Sequence, residues 1–136
     1  MQSVFHFAFN VTNLDQACEF YSKVLGCQQG RKTATWVDYN FFGHQLSLHL
    51  GTPFPVRNTG MVDNTAVPMP HFGVILSHLD WQILADKLRN SSLEFIIEPS
   101  VRFAGEEGEQ YTMFFKDPFG NPIELKGFSD LETVFS

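Results

Sequence analysis

The sequence predicts an α+β chain of two βαβββ modules, because its two halves repeat one pattern. Each half opens with a histidine in an apolar strand, His6 in VFHFAFNV and His71 in PHFGVIL. Each continues into an amphipathic helix. Each closes on a glycine turn and a strand with a metal-ligand side chain, His49 in FFGHQLSLHL and Glu124 in DPFGNPIELKGF.

Along 4–11, Phe5, Phe7 and Phe9 alternate with His6, Ala8 and Asn10, which is a strand signature. Leu14, Ala17, Cys18, Tyr21, Val24 and Leu25 make one face of a helix over 14–25, with Asn13 as N-cap and Gly26 as the stop. Strands follow at 28–33, 35–41 and 45–50; in the last, Leu46, Leu48 and Leu50 oppose Gln45, Ser47 and His49. The stretch 51–70 holds four of the seven prolines among Gly, Asn and Thr, so it reads as a linker. The second module then runs over about 71–127. Its strand at 71–77 leads to a helix near 80–90, capped by Asp80 with Trp81, Leu84, Ala85 and Leu88 buried, and to strands near 93–98, 111–116 and 121–127. The loop PSVRFAGEEGEQ is a solvated excursion or a lid, and 128–136 is a tail for the surface or a partner. By length, residues 1–136 make a single domain.

Composition narrows the function. With 43% hydrophobic and 18% charged residues the chain is an ordinary globular one, and its fifteen phenylalanines are read as core. A formal charge of −6 excludes nucleic acid and anionic membrane as main partners. No apolar run is long enough to span a bilayer, and MQSVFHFAFN lacks the features of a signal peptide, so a cytoplasmic location is expected. Cys18 and Cys27 read as reduced and structural.

A lone strand histidine is ordinarily a hydrogen-bonded residue. Here His71 repeats the place of His6, and Glu124 interrupts an apolar strand, where a carboxylate is costly unless it is paired or bound. Two imidazoles and a carboxylate with open positions left over form the ligand set of a non-haem Fe2+ or Mn2+ site; a fourth ligand shifts the choice to Zn2+ or Ni2+.

The strand His6, the helix segment Ala17-x-x-Phe20-Tyr21-x-x-Val24-Leu25-Gly26, the strand His71 and the closing DPxGNxIEL (Asp117 to Leu125) resemble the vicinal oxygen chelate superfamily. That superfamily groups glyoxalases, bleomycin-resistance proteins and extradiol dioxygenases, and WVDYNFFGHQL is similar to a small extradiol-dioxygenase-like branch. The resemblance covers nearly the whole chain. It implies a curved mixed sheet around a cleft, a divalent metal, and a small substrate that chelates it through adjacent oxygens. Matched residue by residue, His6, His71 and Glu124 are the dioxygenase ligands. His49 is a fourth ligand, a base above the open position or a merely structural histidine: four residues past Gly120 is Glu124, but four past Gly43 is Ser47.

Arg102 reads first as a surface arginine and second as a holder of a substrate carboxylate, Tyr111 either donates a proton or packs with Met113, and His44 and His78 read as solvated. The leading expectation is a metal-dependent, dioxygenase-like enzyme. The alternatives are a four-ligand glyoxalase-like lyase or isomerase and a metal-free binding or resistance protein. Sheet edges that need covering and the apolar Phe128, Leu131, Val134 and Phe135 point to a homodimer.

Overall fold

The opening alternation becomes strand β1 (His6–Val11), with Phe9 and Val11 buried and His6 and Ala8 exposed on the other face. The structure, a computed structural model, describes all 136 residues. Its contacts divide the chain into two compact units, Met1–Pro55 with Pro118–Asn121, and Val56–Asp117 with Pro122–Ser136.

In the first unit, helix α1 (Leu14–Cys18) is capped by Asn13, whose side chain accepts from the Gln16 N–H at 2.9 Å. The helix then widens into a π-helical stretch, Glu19–Val24, where the expectation was a regular helix throughout. Both Phe20 and Tyr21 are buried in that stretch, edge to face at 5.1 Å, although they are adjacent in sequence. The wider turn satisfies the Leu25 N–H on the Phe20 carbonyl at 3.0 Å, and Gly26 leaves the helix at φ +76°. Strands β2 (Gln28–Lys32), β3 (Trp36–Phe41) and β4 (His44–Leu50) complete a sheet of order β1-β4-β3-β2, with β1 and β4 parallel. Its packed face carries Phe9, Val11, Leu46, Leu48, Val37 and Tyr39, all buried together with Ala17 and Leu25 of the helical segment. The opposite face carries His6, Gln45, Ser47, His49 and Asp38.

The second unit opens differently from its expectation. Within the segment read as a linker, β5 (Arg57–Val62) and β6 (Thr65–Met69) pair as an antiparallel hairpin. Asp63 takes a left-handed φ of +52° at the turn, a conformation that Asp and Asn tolerate. The prolines at the ends of the segment hide this short hairpin. Strand β7 (Phe72–Ser77) leads to helix α2 (His78–Arg89), which starts earlier than expected. Its N-cap is Ser77, whose side chain accepts from the Asp80 N–H at 3.3 Å, so Asp80 lies inside the first turn instead of capping it. Trp81, Leu84, Ala85 and Leu88 are buried as the periodicity requires.

Strands β8 (Phe95–Arg102), β9 (Gln110–Lys116) and β10 (Pro122–Phe128) give a sheet of order β7-β10-β9-β8. Strand β8 therefore takes in the first part of the expected loop. Helix α2 sits close on one face: a Cβ on Gly127 would stand 2.7 Å from that of Trp81, and Trp81 Nε1 donates to the Leu125 carbonyl at 2.9 Å. The chain ends in a 3-10 turn, Leu131–Thr133. Cys18 and Cys27 are not joined in a disulfide.

The registers of the two sheets correspond. One row reads Ala8, Ser47, Asp38 in the first unit and Gly73, Glu124, Phe114 in the second. His6 and His71 each stand two residues before the first member of the row. The repeat seen in the sequence is thus a repeat of hydrogen-bond register.

Tyr39 gives the first unit a dependence on pH. Its hydroxyl lies 2.7 Å from Ser22 Oγ, and burial pushes its pKa well above the usual 10.0; Cys18 adds to the shift and Ser22 opposes it. Below pH 10 the phenol is neutral whether the chain is folded or not. At higher pH the unfolded chain loses a proton that the folded chain keeps, so stability falls. Tyr39→Phe removes this contribution, and its urea midpoint should decline less than that of the wild type between about pH 9 and about pH 11. Parallel declines would contradict the assignment.

Candidate metal centre

Glu124 stands mid-strand in β10 between Ile123 and Leu125, which face α2 and are fully buried. The carboxylate takes the opposite face and is still only 7% exposed. A buried carboxylate requires donors or positive charge. Thr112 Oγ1 on β9 donates to its Oε2 at 2.6 Å, and its Oε1 lies 3.4 Å from His71 Nε2. Gly73 allows this arrangement: a Cβ there would collide with the main-chain carbonyl of Glu124.

His71 lies just before β7, edge to face on Phe114 at 4.7 Å. Its Nδ1 is 2.9 Å from the Pro68 carbonyl oxygen. A carbonyl only accepts, so Nδ1 carries the hydrogen and a neutral His71 presents its lone pair at Nε2. That lone pair faces a carboxylate oxygen, which also only accepts. Two acceptors held face to face call for a cation, either a proton on Nε2 or a metal ion.

The donor set fits a divalent metal. One imidazole nitrogen is tied to a carbonyl and the other is presented, which is the usual surrounding of a ligating histidine. Two ligands each about 2.1 Å from a common ion can be 3.4 Å apart. No group of three or more His, Cys, Asp or Glu side chains is gathered in a metal-holding arrangement.

The other expected ligands belong to the first unit. His6 is exposed, with Nδ1 2.8 Å from Gln45 Oε1. His49 is exposed on the same face of that sheet, its ring centroid 6.2 Å from that of Trp36. By register Ser47 occupies the place of Glu124, and His49 the place of Lys126 two residues on. His44 is not freely solvated: its Nδ1 accepts from the Phe5 N–H at 3.1 Å.

Tyr111 and Arg102 each have partners within the second unit. Tyr111 pairs with Gly127 and lies on the helix-facing side of the sheet, opposite Glu124. It stacks on His78 at 3.7 Å with an interplanar angle of 2° and lies 5.4 Å from Trp81, so His78 is half-buried against a ring and not freely solvated. Arg102 ends β8 with Nε 3.5 Å from Asp63 Oδ2 in the hairpin turn, and its guanidinium lies 5.0 Å from the Phe103 ring. It already has a carboxylate partner within its own unit.

Thr112 and Asp38 were not among the residues expected at a site. Asp38 Oδ1 accepts from Ser47 Oγ at 2.6 Å. The alternation of Trp36, Asp38 and Asn40 with Val37, Tyr39 and Phe41 carried the signal for Asp38, since it places the carboxylate on the sheet face away from the core.

The model of the glyoxalase/bleomycin resistance protein/dioxygenase superfamily matches residues 3–125. Among solved structures, a glyoxalase/bleomycin resistance protein/dioxygenase from Alicyclobacillus acidocaldarius is 30% identical with a TM-score of 0.79, over 98% of this chain and 97% of that one. A putative glyoxalase family protein from Bacillus anthracis shares the fold at 16% identity and a TM-score of 0.64, covering 93% and 95% of the two chains. A genomically encoded fosfomycin resistance protein from Listeria monocytogenes does so at 14% identity and 0.66, covering 98% of each. With the ligand-type side chains on two register-matched βαβββ-like modules, the chain belongs to the glyoxalase/bleomycin resistance protein/dioxygenase superfamily.

Proposed function

We propose that the protein is a metal-dependent enzyme, dioxygenase-like, acting on a small substrate that chelates a divalent ion through vicinal oxygens. Its ligands are His6, His71 and Glu124. The observation that carries this reading is the His71 Nε2 lone pair aimed at the Glu124 carboxylate at 3.4 Å. Three such ligands suit Fe2+ or Mn2+; recruitment of His49 as a fourth suits Zn2+ or Ni2+ and a glyoxalase-like lyase reaction.

When bound, the ion supplies a Lewis acid and a template for adjacent substrate oxygens. The chain's own residues do the rest. Thr112 holds one oxygen of Glu124 and leaves the other for the centre, and the Pro68 carbonyl fixes the ring of His71. His49, an exposed imidazole, is the proposed acceptor of a substrate proton if it is not itself a ligand. A substrate carboxylate reaching Arg102 would compete with Asp63, which is largely exposed and readily displaced.

Glu124→Gln keeps the shape and removes the anionic ligand. Metal affinity should fall by more than the roughly 10- to 100-fold that outer-shell changes cause, leaving the variant clearly depleted of metal after reconstitution and dialysis; full occupancy would reject the assignment. His49→Ala separates the chemistries when screened with catechols and with thiol adducts of 2-oxoaldehydes. Lost metal identifies a fourth ligand, and retained metal without turnover identifies a base. A variant normal on both counts removes His49 from the site.

The working form proposed is a cytoplasmic homodimer in which residues 1–136 act as one domain. No helix is long and apolar enough to cross a membrane. Strands β1 and β7 each end their own sheet, and exposed edges are ordinarily covered. Phe128 is buried as the last residue of β10, while Leu131 and Phe135 are 49% and 98% exposed and available to a second copy. Light scattering at micromolar concentration should give a dimer for the full chain and a weaker one for a chain ending at Gly127. A monomeric full chain would reject the dimer, and equal dimers would reject the tail as its cause.

A further inference from the structure

We propose that Ser47, Asp38 and Gln45 form a hydrogen-bond chain that fixes the tautomer of His6 and leaves its Nε2 as the electron-pair donor. Asp38 is then a positioning residue, although it never touches the ion. The inference rests on the reading of His6 as a ligand and adds the group that orients it.

The chain is continuous on one face of the first sheet. Ser47, only 6% exposed, donates from Oγ to Asp38 Oδ1 at 2.6 Å. Gln45 Nε2 donates to Asp38 Oδ2 at 3.5 Å, the longest link, and Gln45 Oε1 lies 2.8 Å from His6 Nδ1. The direction of every bond follows from the end of the chain. A carboxylate only accepts, so Gln45 turns its amide NH2 toward Asp38. That leaves the amide carbonyl toward His6, and a carbonyl also only accepts. Nδ1 of His6 therefore carries the hydrogen, and Nε2 keeps its lone pair.

The second unit reaches the same result by other means. There the Pro68 carbonyl imposes the Nδ1–H form on His71. The register explains the exchange of parts. Where the second unit has Glu124 on its closing strand, the first has Ser47, and the carboxylate sits one strand over at Asp38. Glu124 faces a histidine directly, whereas Asp38 is engaged by Ser47 and acts on its histidine through Gln45.

The tautomer is read in the metal-free, full-length protein from 15N shifts of the His6 ring at about pH 8, where an ordinary imidazole is neutral. The wild type should show Nδ1–H as the dominant form. Gln45→Leu, at an exposed position, should move His6 toward the Nε2–H form that an unconstrained histidine side chain prefers in water. Asp38→Asn frees Gln45 to turn over and should give a mixture, with Mn2+ affinity about 10-fold lower than wild type. An Nε2–H form in the wild type, or an unchanged tautomer in Gln45→Leu, overturns the chain. Unchanged Mn2+ affinity in Asp38→Asn overturns its positioning role. If Asp38→Asn does not fold, Gln45→Leu carries the same test, with the same loss of Mn2+ affinity expected. Because the tautomer is read without metal, it stands or falls separately from metal loss in Glu124→Gln.

Discussion

A carboxylate buried mid-strand on the sheet face away from the helix is the constraint on which the second unit is arranged. Glu124 keeps that place because Thr112 donates to one oxygen, His71 approaches the other, and Gly73 gives its backbone room on the parallel strand. Each partner is itself held: His71 by the Pro68 carbonyl and Thr112 by its strand pairing. An apolar residue at position 124 would be cheaper for the fold alone. The cost makes sense if the negative charge meets a cation that binds there.

The first unit meets a related problem with different residues. Its register puts a serine in the place of the glutamate and moves the acidic group to Asp38 on the neighbouring strand. The acid there is engaged by hydrogen bonds and directs His6 through Gln45. Two copies of one supersecondary unit have thus diverged, one presenting a carboxylate directly and the other using a carboxylate to orient an imidazole.

Much of this was legible in the sequence. The α+β class, the repeated βαβββ order, the histidines at matched places and the lone charge in Ile123-Glu124-Leu125 all follow from alternation and from the glycine turns at Gly43 and Gly120. What was not legible depended on pairing or on competing local signals. Tyr111 and Thr112 are adjacent, and only the register of β9 against β10 shows that Thr112 faces Glu124 while Tyr111 faces the helix. Ser77 and Asp80 both suit an N-cap, and the structure chooses the serine. The hairpin over Arg57–Met69 was masked by prolines at its margins, and the π-helical stretch has no periodicity that distinguishes it over so few residues.

The central claim is that His71 and Glu124 meet over a metal ion and not over a proton. Anomalous diffraction from crystals of the full-length protein grown with Mn2+ tests it most directly. The account predicts a manganese peak about 2.0–2.3 Å from both His71 Nε2 and Glu124 Oε1. No peak there, with Nε2 and Oε1 closed to a direct hydrogen bond of about 2.8 Å, would show that a proton bridges the pair and would contradict it.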